Sequence, residues 1–161
     1  MASSLPPSPL LVTAFNGLVA AYDRATGDTQ WTFAVPGKSV PGVRARPTHV
    51  EVHDERVFVL VGGAEGTFTK NSFVELLALD YHAGRLLWTQ RLESRPSPQF
   101  PGAQMLVEGG QVIVASFDVL AAFDADSGRV QWSRVSEHGD GGLHLPTLDM
   151  GVHGARSRPL T

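Results

Sequence analysis

The chain has 161 residues, 42% of them hydrophobic, with a formal charge of −3 and both signs interspersed; that is enough apolar material for a core, with no general attraction to nucleic acid or an anionic membrane. It contains no cysteine, which excludes disulfides, thiolate-held metals and thiol nucleophiles. No run reaches the roughly 20 apolar residues that a membrane-spanning helix needs, and 17 glycines with 11 prolines break the sequence into short apolar stretches, the pattern of many strands joined by turns.

Residues 1–9 are a Ser/Pro-rich segment without the basic region of a secretory signal, so the expected location is cytoplasmic. An apolar run from Leu10 to Phe15 reads as a strand. It leads into a hairpin that carries Asp23, Gly27 and Trp31 in the frame Asp-x-x-x-Gly-x-x-x-Trp. A second unit follows, with strands at residues 47–52 and 57–61 and the same frame at Asp80, Gly84 and Trp88. A third has strands at 103–107 and 112–116 and the frame at Asp124, Gly128 and Trp132. Residues 146–152 read as one more strand, and 153–161 as a flexible tail.

Every tryptophan in the chain obeys this frame, and an alanine precedes each Asp by two residues: Ala21, Ala78 and Ala122. The physical reading is a repeated hairpin. The Gly supplies positive φ in the turn, and the Asp carboxylate accepts from free turn amides, which makes it structural by default. The small Ala and its bulky neighbour (Tyr22, Leu79, Phe123) point to opposite faces, as suits sheets stacked on both sides with the Trp filling the gap between them. Four strands per unit, radially repeated, describe an all-β fold, a β-propeller; turn spacing alone also fits a β-sandwich.

These residues resemble the quinoprotein-dehydrogenase-like, or pyrroloquinoline-quinone-like, propeller repeats, whose blades end a strand in Ala-x-Asp and continue through a Thr-Gly turn to a Trp. Residues 21–27 (AYDRATG) and 122–128 (AFDADSG) match closely, whereas Tyr81-His82-Ala83 departs before Gly84. The resemblance implies three blades over 10–152, at 10–35, 47–92 and 102–135, with 146–152 as a closing strand. Dehydrogenases of that family hold a quinone and a calcium ion, but no matching ligand set is recognisable here, so no catalytic, cofactor-binding or metal residue carries over. The resemblance is specific for blade type and says little about activity.

Competing motifs are weak. Asp124-x-Asp126 begins like a calcium loop, yet its twelfth position is Val135. His49 and His53 would stand about 13 Å apart on a strand, too far to share a metal. His138, Asp140 and His144 lie in a Gly-rich loop with no spacing that enforces a coordination geometry. The interval from Asp23 to Asp80 exceeds that from Asp80 to Asp124, and the excess is expected as a loop at 62–72. With the inter-blade connections at 36–46, 94–100 and 136–145 this loop would gather on one rim a candidate binding face of Lys38, Arg44, Arg46, Phe68, Lys70, Arg95, His138 and His144, with Phe73 beside it.

The expected function is a non-catalytic interaction or scaffold module that binds a protein or peptide on that rim. A carbohydrate-binding propeller is the alternative, and a quinone-dependent oxidoreductase fragment the third reading. No cofactor is expected. Three blades make poor closure, so the expected partner is a second copy. The resulting homodimer would be a six-bladed ring in which each 146–152 strand completes the other copy's first blade.

Overall fold

The computed structural model describes residues 8–36, 44–66, 71–92, 103–116, 119–135, 151–152 and 155–156. Sheet 1 consists of β1 (Leu10–Phe15), β2 (Leu18–Asp23) and β3 (Thr29–Ala34). Sheet 2 consists of β4 (Arg44–His53), β5 (Arg56–Glu65), β6 (Asn71–Asp80) and β7 (Leu86–Leu92). Sheet 3 consists of β8 (Ala103–Glu108), β9 (Gln111–Ser116), β10 (Val119–Asp124) and β11 (Val130–Val135). Each is an antiparallel meander whose strands neighbour one another in chain order, as short turns between consecutive strands require.

The repeat is superimposed on this register. Ala21 pairs with Trp31, Ala78 with Trp88 and Ala122 with Trp132, and in all three hairpins the register shifts at the next residue, a β-bulge. Pro47 lies in β4 next to another shift, between Pro47 and His49. β4 pairs only with β5, and a proline that cannot donate to a ladder is tolerated on such an edge.

The residues expected as an insertion loop at 62–72 are mostly strand. β5 runs on to Glu65 and β6 starts at Asn71, with Gly62 opposite Val74 and Gly63 opposite Phe73. The extra residues lengthen the middle hairpin, because alternating apolar residues on both sides of Gly62-Gly63 keep the ladder in register across them. The segment expected to close a ring ends in β12 (Gly151–Val152), which pairs with β13 (Ala155–Arg156) inside the chain. Residues 146–150 lie outside the described residues, and β13 falls within the stretch read as a tail.

Two cores separate the three sheets. One gathers Val19, Ala21, Trp31 and Val35 of sheet 1 against Val57, Val59, Val61, Leu77, Leu79 and Tyr81 of sheet 2. The other gathers Phe58, Leu60, Leu76 and Ala78 of sheet 2 against Met105, Val112, Val114, Ala121 and Phe123 of sheet 3, with Trp88 packed on it. Ala78 and Leu79 thus serve different cores, as strand alternation dictates for a sheet buried on both faces.

The tryptophans join the sheets in a repeated way. A Cβ added to Gly84 would stand 2.5 Å from Cδ2 of Trp31, and one added to Gly128 would stand 2.5 Å from Cδ2 of Trp88. The indole of one sheet therefore lies flush on the glycine of the next. Its N–H completes the joint: Trp31 Nε1 donates to the Tyr81 carbonyl at 2.8 Å, and Trp88 Nε1 to the Ala125 carbonyl at 3.2 Å. The repeat glycine has two jobs, positive φ (+66° at Gly84, +71° at Gly128) and the absence of a side chain where an indole lands.

Candidate functional site

The sheets present two chemically different ends. At the end with the repeat turns, the acidic side chains are occupied by the backbone. Asp23 Oδ1 accepts from the amides of Ala25 and Thr26 at 2.8 and 3.0 Å, and Asp80 Oδ1 from those of His82 and Ala83 at 3.1 and 2.7 Å. Asp124 Oδ1 accepts from the Ser127 amide at 2.8 Å and the Ser127 hydroxyl at 2.7 Å. A backbone bond from each repeat glycine to the Asp carbonyl four residues earlier closes the turn. The Asp23 carboxyl is held below its ordinary range, first by the Thr26 amide and then by that of Ala25. The Asp124 carboxyl is lowered as well, by the Ser127 hydroxyl first and its amide second. Hydrogen bonds to the charged form explain both directions. The three aspartates of the repeat are turn caps.

The opposite end, where β5 hands over to β6 and β9 to β10, carries charge and unspent polarity. Arg91 Nη2 contacts Glu65 Oε1 at 2.6 Å, and Arg91 Nη1 lies 3.9 Å from Glu75. The guanidinium sits 4.3 Å over the ring of Phe73, a cation–π arrangement. Glu75, whose side chain is 20% exposed, has its pKa raised by burial, against the pull of Arg91 and with a smaller push from Glu65. Gln104 and Ser116 are buried on the paired strands β8 and β9, and neither Gln104 Oε1 nor Ser116 Oγ has a partner among the described residues. Ser72 Oγ, at the start of β6, is in the same condition.

Of the residues expected to form a basic rim, Arg44 and Arg46 lie on β4, opposite Ala64 and Gly62 of β5, and so at this end of sheet 2. Lys38, Phe68, Lys70, Arg95, His138 and His144 lie outside the described residues. Phe73, expected beside an exposed loop, is buried under Arg91 at 5% exposure. The described part of the rim is consequently of mixed sign. Glu65, Glu75, Arg91, Gln104 and Ser116 escaped the sequence reading because each sits on a strand, whereas loops were taken as the carriers of function. A signal was present: a Glu and an Arg inside otherwise apolar strands need a partner.

Among the described residues no group of three or more His, Asp or Glu is placed to hold a metal ion, and no helix is long and apolar enough to cross a membrane.

Comparison with known proteins places this geometry. A family profile described as outer membrane protein assembly factor BamB, of the PQQ_2 type, matches residues 15–154. Among solved structures, the quinohemoprotein alcohol dehydrogenase from Comamonas testosteroni is similar over 79% of this chain at 15% sequence identity and a TM-score of 0.56. The match covers 26% of that enzyme, so the chain spans about a quarter of its length, and at this identity the likeness carries the fold alone. No curated protein sequence matches the chain.

Proposed function

We propose that this chain, which belongs to the PQQ_2 family described by the outer membrane protein assembly factor BamB, is a propeller module that works by binding a protein or peptide and catalyses no reaction. One observation carries the reading: of the four buried side-chain atoms without a partner among the described residues, three (Ser72 Oγ, Gln104 Oε1 and Ser116 Oγ) lie at the end away from the repeat turns, and the fourth, Arg56 Nε, lies at the turn end. The repeat aspartates are committed to turn amides, while the opposite end keeps Gln104 Oε1 and Ser116 Oγ of sheet 3 buried without partners among the described residues, and carries the Arg91–Glu65 pair on sheet 2. A buried unpaired polar atom costs free energy, and an extended peptide that inserts at that end, where neither atom has open surface of its own, would supply the missing hydrogen bonds. The assembly role named for the family's eponym agrees with such a surface. The carbohydrate alternative loses support because Phe73, one of its candidate stacking rings, is covered by Arg91.

The test is a peptide-display selection on the purified chain, followed by titration of the enriched peptide against the parent, Gln104→Met and Ser116→Ala. The reading expects each substitution to weaken binding about tenfold, or about 1.4 kcal/mol, with the fold retained by circular dichroism. Equal affinities would remove this end from consideration. Alcohol oxidation by the chain loaded with pyrroloquinoline quinone and calcium, measured with an artificial electron acceptor, would replace the reading by the oxidoreductase one.

A further inference from the structure

The core between sheets 2 and 3 changes character along its length. Over most of it the two faces meet through Phe58, Leu76, Met105 and Phe123. The last rungs at the end away from the repeat turns carry small residues instead. On β6, Ser72 shares the face of Val74 and Leu76 and pairs with Ala64 of β5. On β9, Ser116 shares the face of Val112 and Val114 and pairs with Ala103 of β8. Strand alternation therefore turns both serines into the same gap, from opposite walls. Stacked sheets stand about 10 Å apart, and alanine and serine reach across less of that distance than leucine and methionine do.

Both hydroxyls are buried and unused. Ser72 is 7% exposed and Ser116 0%, and neither Oγ has a partner among the described residues. Polar groups elsewhere between the sheets are paired, as the indoles of Trp31 and Trp88 are with backbone carbonyls. The charges at this end sort by face. Glu65 alternates with Ala64, and Glu75 alternates with Val74 and pairs with Arg91, so all three charged residues belong to the other face of sheet 2. On the rungs that face sheet 3 there is no carboxylate among the described residues, and Arg44 and Arg46 occupy the register positions opposite Ala64 and Gly62.

We propose that this end of the gap between sheets 2 and 3 is a slot for one carboxylate, carried by an acidic side chain of the bound peptide. Ser72 Oγ and Ser116 Oγ donate to its oxygens, and Arg44 and Arg46 are the positive charges nearest in register. Two hydroxyl donors with no acidic residue on their rungs suit an anion, whose hydrogen bonds are the stronger for its charge. Because neither hydroxyl has open surface of its own, the carboxylate enters the gap and does not lie across it. This rests on the peptide-binding reading and names the chemistry that the peptide must bring.

Nuclear magnetic resonance titration of the full chain tests it, with acetyl-Gly-Asp-Gly-amide, its Asn counterpart and sodium acetate as probes. The Asp peptide is expected to shift the Ser72 and Ser116 resonances and to bind about tenfold more tightly than the Asn peptide. Acetate is expected to shift the same resonances more weakly; acetate as tight as the peptide would overturn the peptide as the source and leave a site for small acids. Ser72→Ala is expected to cost about tenfold in Asp-peptide affinity while its urea midpoint does not fall, since an unpaired buried hydroxyl contributes nothing to the fold. A midpoint that falls would show the hydroxyl already bonded in the free chain, by a buried water for instance, and overturn the slot. Equal binding of the Asp and Asn peptides, or resonances of both serines that stay in place, overturns it as well. The peptide-binding reading is decided separately, by the Gln104→Met titration of the display-selected peptide.

Discussion

Three glycines with the same turn geometry differ in a single respect, and the difference separates two penalties that usually travel together. Gly84→Ala and Gly128→Ala force a Cβ both into positive φ and into an indole, whereas a Cβ on Gly27 meets nothing within 4 Å among the described residues and incurs the backbone strain alone. Measured by urea denaturation, Gly27→Ala should cost about 1 kcal/mol. Gly84→Ala should cost a further 1–3 kcal/mol or so from overpacking against Trp31; equal losses at the two sites would show that the indole gives way freely. The turn aspartates make a second prediction. The Asp124 carboxyl is lowered from 3.8, chiefly by the Ser127 hydroxyl. Because the folded pKa lies below the unfolded one, the stability it contributes is present above about pH 3.8 and disappears as the pH falls through the depressed value. Ser127→Ala should move the Asp124 titration back toward 3.8, followed by carboxyl carbon resonances, and leave Asp23 in place. A titration unmoved by the loss of the hydroxyl would contradict the assigned cause.

At the level of elements, the long middle hairpin is what gives the rim its charge. β5 and β6 run ten residues each, where β9 and β10 run six, and the added length carries Glu65 and Phe73 into reach of Arg91 on β7, next to Glu75 at the register position of Val119. The Glu75 carboxyl is raised from 4.5 by burial, so its contribution to stability is fully present below pH 4.5 and is lost as the pH rises through the folded value. Glu75→Gln removes that loss, and its denaturation midpoint should fall less between pH 5 and 8 than the parent's. A parent and variant with parallel pH profiles would show that the carboxyl is solvated. The strand pairing of this hairpin was hard to read from sequence because Gly62-Gly63 is a turn signal in a short window; the glycines instead lie opposite Val74 and Phe73, where the longer apolar alternation decides. By contrast, the Asp, Gly and Trp positions were legible because local turn chemistry fixes them at constant spacing.

Across the whole molecule, the fold was readable where one repeat specifies one hairpin and unreadable where two hairpins meet. The Trp frame announced the blades, but that Trp31 lands on Gly84 and Trp88 on Gly128 could not be read from spacing within a unit, since each joint links residues of different units. Of the candidate rim the structure describes Arg44 and Arg46, expected on a connection between blades and found at the start of β4; the strand-borne Arg91, Gln104 and Ser116 at that end were hidden by their surroundings on strands. The central claim is that one indole-on-glycine joint, used twice, fastens sheet 1 to sheet 2 and sheet 2 to sheet 3. Hydrogen exchange of the three indole N–H protons, assigned by single Trp→Phe variants and followed by nuclear magnetic resonance over a dilution series, reads that joint directly. The account predicts slow exchange at Trp31 and Trp88 at every concentration, and faster exchange at Trp132, whose indole N–H has no acceptor among the described residues. Fast exchange at Trp31 or Trp88, or exchange equally slow at all three, would contradict it.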